Sequence, residues 1–348
     1  MKKFGQLMAC FLPLIGFLFI QIVVSFIGSV VFTTRFMMTE GITDPGKMTE
    51  IMMQSDVLMS ITIASQIICF IVFLIFYITI FKIRKPENPV KVFGPASPFI
   101  VIFLFIGLEA LISTILIVLQ GVLPDLMQEY AEMIEKSGLA DMTVLSTIAT
   151  LVMAPLGEEL AFRGMTLNLA GRFTKKFWIA NIIQALMFGI AHMNLVQGTY
   201  AFILGLFLGF LYKKYNSLYA TILAHLTFNF AGTYLVGPLF GESEEPEVVR
   251  VILIAAVAAV LVAGAIIALI KDKKTSEREP MYMQRIHFRP EKQPVPAYAP
   301  VYGTMPGAPG YGTMPTTPVN PNVYESPVGT VRGNTANNAA QPTDTDQQ

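Results

Sequence analysis

Eight long apolar runs, joined by alternately basic and acidic connections, restrict this chain to one kind of fold. They lie at 11–32, 57–81, 97–120, 143–165, 177–193, 199–212, 217–236 and 248–270. A hydrocarbon core about 30 Å thick takes roughly 20 apolar residues to cross as a helix. Inside it, every backbone N–H and C=O must find its partner within the protein. The runs therefore predict an all-α fold, a polytopic membrane helix bundle of about eight transmembrane helices. Only 14% of the 348 residues are charged, against roughly 25% in a soluble domain. A soluble globular protein is excluded.

The connections set the topology. Lys82, Arg84, Lys85 and Lys91 follow the second run. Arg172, Lys175 and Lys176 follow the fourth, Lys213 and Lys214 the sixth, and Lys271, Lys273 and Lys274 the eighth. The alternate connections are acidic: Glu40, Asp44, Glu50 and Asp56; then Asp125, Glu129, Glu132, Glu135 and Asp141; then Glu242, Glu244, Glu245 and Glu247. Lys and Arg gather on the cytoplasmic side of short loops. All the basic loops share a side only if there are eight spans, the short fifth and sixth included, with both termini cytoplasmic. The expected location is the cell membrane. Met1-Lys2-Lys3 before an apolar run imitates a signal peptide, but the run is about 22 residues long and has no small-residue cleavage site, so an uncleaved first span is expected.

The 24 basic and 24 acidic residues cancel, which gives no field for nucleic acid. Cys10 and Cys69 fall inside apolar runs and form neither a disulfide framework nor a metal knuckle. They read as small buried hydrophobes. The chain divides into residues 1–142 with three spans, 143–236 with the four spans that hold the polar residues, 237–274 with the last span, and a tail at 275–348. That tail is rich in Pro, and Tyr-Gly-Thr-Met-Pro occurs in it at 302–306 and 311–315. It has too little apolar surface to offset its ordering entropy, so it is expected to be disordered. A solvated extension is the default, and a docking site for a partner the alternative.

Ionisable groups inside a bilayer are costly and mark function. The runs contain Glu109, Glu158, Glu159, Arg163, His192 and His225, besides Arg250 near the start of the last. Glu159 and Arg163 are four apart, share a helix face and can pair. Glu158 is one residue off, about 100° round the helix, and lacks that partner. Phe188 and His192 share a face of the fifth span, His225 and Asn229 a face of the seventh. Each piece alone has an ordinary structural explanation, such as an ion pair that locks two helices or an imidazole bonded to a carbonyl. Together, a free carboxylate, two imidazoles and an amide are the components of a water-activating or metal-binding site. Glu109, alone in the third span, has no sequence partner.

The order Glu158-Glu159-x-x-x-Arg163, Phe188-x-x-x-His192, His225-x-x-x-Asn229 on successive membrane helices resembles the CPBP intramembrane metalloprotease family. This family comprises type II CAAX prenyl endopeptidases and bacteriocin-processing or immunity proteins, also called Abi. The resemblance covers about residues 140–236. It implies an endopeptidase with Glu158 as general base and with His192 and His225 binding a metal, zinc being the candidate, or orienting the water. Asn229 would hold the site or stabilise the oxyanion, and Glu159 with Arg163 would be structural. The implied partners are the bilayer and a peptide or membrane-associated protein, such as a CAAX-like lipidated tail or a bacteriocin-type peptide. The soluble zincin pattern His-Glu-x-x-His is absent. A proton-relaying transporter is the competing class, although no matching halves are visible; a catalytically idle immunity protein is the other.

Depth arithmetic conflicts with a compact site. At 1.5 Å per residue, Glu158 falls about 8 Å, His225 about 12 Å and His192 about 22 Å from the cytoplasmic face. Two of the three residues favour a pocket that opens to the cytoplasm, which requires the fifth span to tilt or to begin deeper.

Overall fold

The computed structural model describes residues 2–53, 55–81, 92–138, 142–240 and 248–272, all helix and connection with no strand among them. The tail at 275–348 lies outside the described residues, as do Lys82, Arg84, Lys85, Lys91, Asp141, Glu242, Glu244, Glu245, Glu247, Lys273 and Lys274.

Each apolar run is a helix. They are α1 Lys2–Glu40, α3 Ser55–Phe81, α4 Ser97–Val122, α6 Val144–Thr174, α7 Phe177–Ala191, α8 Leu195–Tyr215, α9 at 218–240 and α10 Val248–Lys271. All but α7 and α9 are long and apolar enough to cross a membrane; α7 is apolar but short. Large apolar side chains such as Phe26 on α1 and Val260 on α10 face outward, as lipid-facing groups do. The chain has the build of an integral membrane protein.

Two short helices in the acidic connections were not expected. In α2, Pro45–Met52, the Asp44 side chain accepts from the Lys47 N–H and Pro45 opens the first turn. In α5, Pro124–Lys136, proline again starts the helix. Both use proline's preset φ where no helical N–H is needed.

An aromatic row connects the elements that carry the polar residues. Phe17 of α1 meets Phe162 of α6 edge-on at 5.7 Å, and Phe162 meets Phe188 of α7 at 5.2 Å. Antiparallel α7 and α8 approach without intervening side chains. A Cβ on Gly189 would stand 2.6 Å from the Gly198 carbonyl oxygen, and one on Gly209 would overlap the Asn181 amide. The buried amides of α7 bond across this seam, Asn181 donating to the Leu206 carbonyl at 3.0 Å and Gln184 to that of Gly205 at 2.8 Å. Small residues and polar glue of this kind bring membrane helices together where the hydrophobic effect cannot. The hairpin turns within three residues. Met193 takes φ +54° there, and the Asn194 side chain caps α8 by accepting from the Gln197 N–H at 3.0 Å. His192 is thereby fixed at the hairpin tip.

Candidate active site

α6 is not a uniform α-helix. It widens to π geometry at Ile148–Met153 and again at Glu159–Leu167, on either side of the short α segment Ala154–Glu158. Pro155 contributes, because it has no N–H for the carbonyl four residues back. In the second stretch side chains take up loosened carbonyls: Thr166 Oγ1 donates to that of Ala161 at 3.0 Å, and Asn168 Nδ2 to those of Arg163 and Gly164 at 3.0 and 2.8 Å. π turns inside α-helices concentrate at functional sites. Here the change falls between two adjacent carboxylates, with Glu159 fully buried and the Glu158 side chain 12% exposed.

The buried carboxylate serves two partners. Glu159 Oε1 accepts from Arg163 Nη1 at 2.8 Å and from His225 Nδ1 at 2.8 Å. The guanidinium also lies 4.3 Å from the centre of the Phe188 ring. Since a carboxylate only accepts, His225 carries its proton on Nδ1. Its Nε2 is then turned to Glu158 Oε2, 3.7 Å away. His192 has the same arrangement, its Nδ1 2.8 Å from the Phe188 carbonyl oxygen. The two imidazoles pack edge-on against Phe188, at 4.9 Å for His192 and 5.7 Å for His225. Asn229 Nδ2 donates to the Thr150 carbonyl at 2.9 Å and so ties α9 to the first π stretch of α6.

Glu158, His192, His225 and Asn229 line one cavity of about 1060 Å³, and Glu109 lines it too. Two further polar residues on its wall carry no sequence signal. Gln66 of α3 lies beside Gly157, and Tyr200 of α8 has its hydroxyl 3.1 Å from that of Tyr130 on α5. The bond from Glu159 to His225 was equally invisible, since the residues are 66 positions apart.

The structure corrects the expected depth. The fourth span does not stop at 165. Its helix runs on to Thr174, so Glu158 lies 16 residues, about 24 Å, from the basic end. The fifteen-residue α7 puts His192 about 22 Å from the same end. α9 starts recessed, Leu218 lying beside Gly164 and Ser217 buried, which carries His225 up to the same level. The cavity touches the end of α7, the first half of α8 and α5. It therefore occupies the half of the bundle away from Lys175, Lys176, Lys213 and Lys214.

For zinc, His192 and His225 each tie back Nδ1 and present Nε2, as metal-bound imidazoles do. Among the described residues, however, no three His, Cys, Asp or Glu side chains gather as a metal site requires. A third ligand would have to be Glu158, which would remove the base. The described residues do not make a complete catalytic zinc site that leaves Glu158 free as base.

A multi-span helix bundle that brings a partly exposed carboxylate and two imidazoles into one internal cavity has the layout of an intramembrane hydrolase. Residues 140–231 match the family model of the type II CAAX prenyl endopeptidase Rce1-like proteins. The match takes in all three motifs, from Glu158 to Asn229, and bears out the family resemblance read from them. No curated protein and no solved structure matches the chain.

Proposed function

We propose that the protein is an intramembrane endopeptidase in which Glu158 activates the water that attacks a peptide bond. The observation that carries this is the 3.7 Å gap between Glu158 Oε2 and His225 Nε2 in a cavity shared with His192. That gap is too long for a hydrogen bond, and a water bridging both atoms would fit it. Such a water donates one hydrogen to each acceptor and keeps a lone pair for the carbonyl carbon. As its oxygen bonds to that carbon, the proton passes to Glu158. His192 faces the same space and orients the substrate carbonyl or the water. Asn229 has one amide hydrogen on Thr150 and the other for the developing oxyanion. Glu158 then returns its proton to the amide nitrogen, the C–N bond breaks, and a carboxylate and an amine leave.

Glu159 and Arg163 do no chemistry in this reading. Glu159 holds His225 in one tautomer, and Arg163 with Phe188 holds Glu159. With the basic ends cytoplasmic, as the charge pattern requires, the mouth faces the outer side. That favours peptides or membrane-protein segments reached from outside over cytosolic lipidated tails.

The test is Glu158→Gln, which preserves shape and removes the base. Cleavage of a peptide by the protein reconstituted in vesicles should fall roughly two to four orders of magnitude, with folding retained. Wild-type turnover by this variant would end the assignment.

A further inference from the structure

The charge balance of the cavity wall points to a substrate class. Three carboxylates line it: Glu158 at the site, Glu109 midway along α4, and Glu135 on α5. No Lys or Arg is among the described residues that line it. Among the described residues, the cation close to the chemistry is Arg163, fully buried and paired with Glu159.

Glu109 is the informative member. It is 95% buried, at 5% relative exposure, and is held on one side only. Ser113 Oγ donates to its Oε1 at 2.6 Å, while its Oε2 meets no donor. The facing wall gives it room, because a Cβ on Gly232 of α9 would stand 3.0 Å from Oε1. A carboxyl group with an unpartnered oxygen inside a membrane helix carries a heavy desolvation cost when ionised, and a cation brought to it offsets that cost. Its own helix supplies only the hydroxyl of Ser113. A pocket meant for the free carboxylate at the end of a substrate chain would need a Lys or Arg at this position, as anion sites do.

We infer that Glu109 forms a cation subsite of the peptidase cavity and selects substrates with a positively charged group a short way from the cleaved bond. The inference rests on the endopeptidase reading of the same cavity. Two sources share this chemistry, a Lys or Arg side chain within the peptide and a free N-terminal amine. The wall favours the side chain, since a cavity of about 1060 Å³ that reaches from Glu158 to α5 takes an extended segment rather than a chain end.

The experiment uses the full-length protein in vesicles and a set of otherwise neutral peptides. A single lysine is moved one position at a time along the sequence, with norleucine or glutamate as its replacement and the N-terminus free or acetylated. For wild type, kcat/KM at one position should favour lysine over norleucine about 10- to 100-fold, the size of a charge-assisted hydrogen bond, with glutamate the worst. Acetylation should leave that ratio unchanged. In Glu109→Gln the lysine-to-norleucine ratio should collapse towards one, and in Glu109→Asp part of it should remain. A merely structural role would lower all three peptides alike and keep their ratio. Should Glu109→Gln not fold, the wild-type ratio and that of Glu109→Asp still decide. A wild-type enzyme that cleaves peptides with no lysine preference at any position, or a ratio unmoved in Glu109→Gln, overturns the subsite and leaves the peptidase reading intact. A preference lost on acetylation assigns the subsite to the amine and overturns the side-chain choice. Absence of any cleavage that depends on Glu158 would fail the peptidase reading itself.

Discussion

Glu159→Gln separates the two duties assigned to the buried carboxylate. In the native site one oxygen accepts two bonds of 2.8 Å, from Arg163 and from His225, and the three side chains are 0–4% exposed. The amide keeps the shape and removes the charge. Arg163 is then left with the Phe188 face as its main partner, and breaking a buried ion pair from one side costs about 3–5 kcal/mol. That is roughly a 140- to 3700-fold shift in the folding equilibrium, at 1.4 kcal/mol per factor of ten. A second loss falls on catalysis. Without an obligate acceptor the Nδ1 proton of His225 is no longer fixed, and loss of such an outer partner lowers activity about 10- to 100-fold. The two effects separate in the double variant Glu159→Gln/Arg163→Met. Removing the stranded cation should recover most of the stability and none of the activity. Unfolding in detergent can be followed through Trp178, the only tryptophan in the chain, and activity through peptide cleavage. If the single variant is as stable as wild type, the pair does not hold the fold. If the double variant regains full turnover, Glu159 does not position His225.

Two further outcomes follow from the packing and the mouth. Gly209→Ala puts a Cβ into the Asn181 amide, so the α7–α8 seam should open and the protein be lost from the membrane fraction. Gly264→Ala, which meets open space, is the control. A cysteine at Ala154 on the cavity wall, with Cys10 and Cys69 replaced, should react with a membrane-impermeant thiol reagent added outside intact cells. Reaction only in inside-out vesicles would reverse the orientation and the substrate side with it.

Where the sequence was readable, the reason was chemical scarcity. Two of three histidines and a handful of charges fell inside apolar runs, and those residues line the cavity or support it. The eight helices were equally readable, because a bilayer permits little else. What escaped depended on register and on distant contacts. The fourth helix seemed to end at 165 because the apolar run thins there. Beyond it, Thr166 and Asn168 close π-turn carbonyls in a helix that continues to Thr174. That nine-residue error placed Glu158 near the wrong face. Glu109 could not be placed from sequence because the wall it faces at Gly232 belongs to α9. The short helix α2 did carry a signal, Asp44-Pro45, a cap followed by a helix-starting proline.

The tight α7–α8 hairpin has a consequence for synthesis. Its seam is made of residues close in the chain, so it can close as soon as α8 has emerged, whereas Glu159 must wait for a partner 66 residues downstream. A chain halted after Tyr215 already holds Glu158, Glu159, Arg163 and His192 but lacks His225 and Asn229. The nascent protein would thus insert with the attacking half of its chemistry unassembled, and it would become competent to cut only when α9 arrives. A membrane protease that matures among other newly made membrane chains has no complete site with which to cut them until its own α9 has been made.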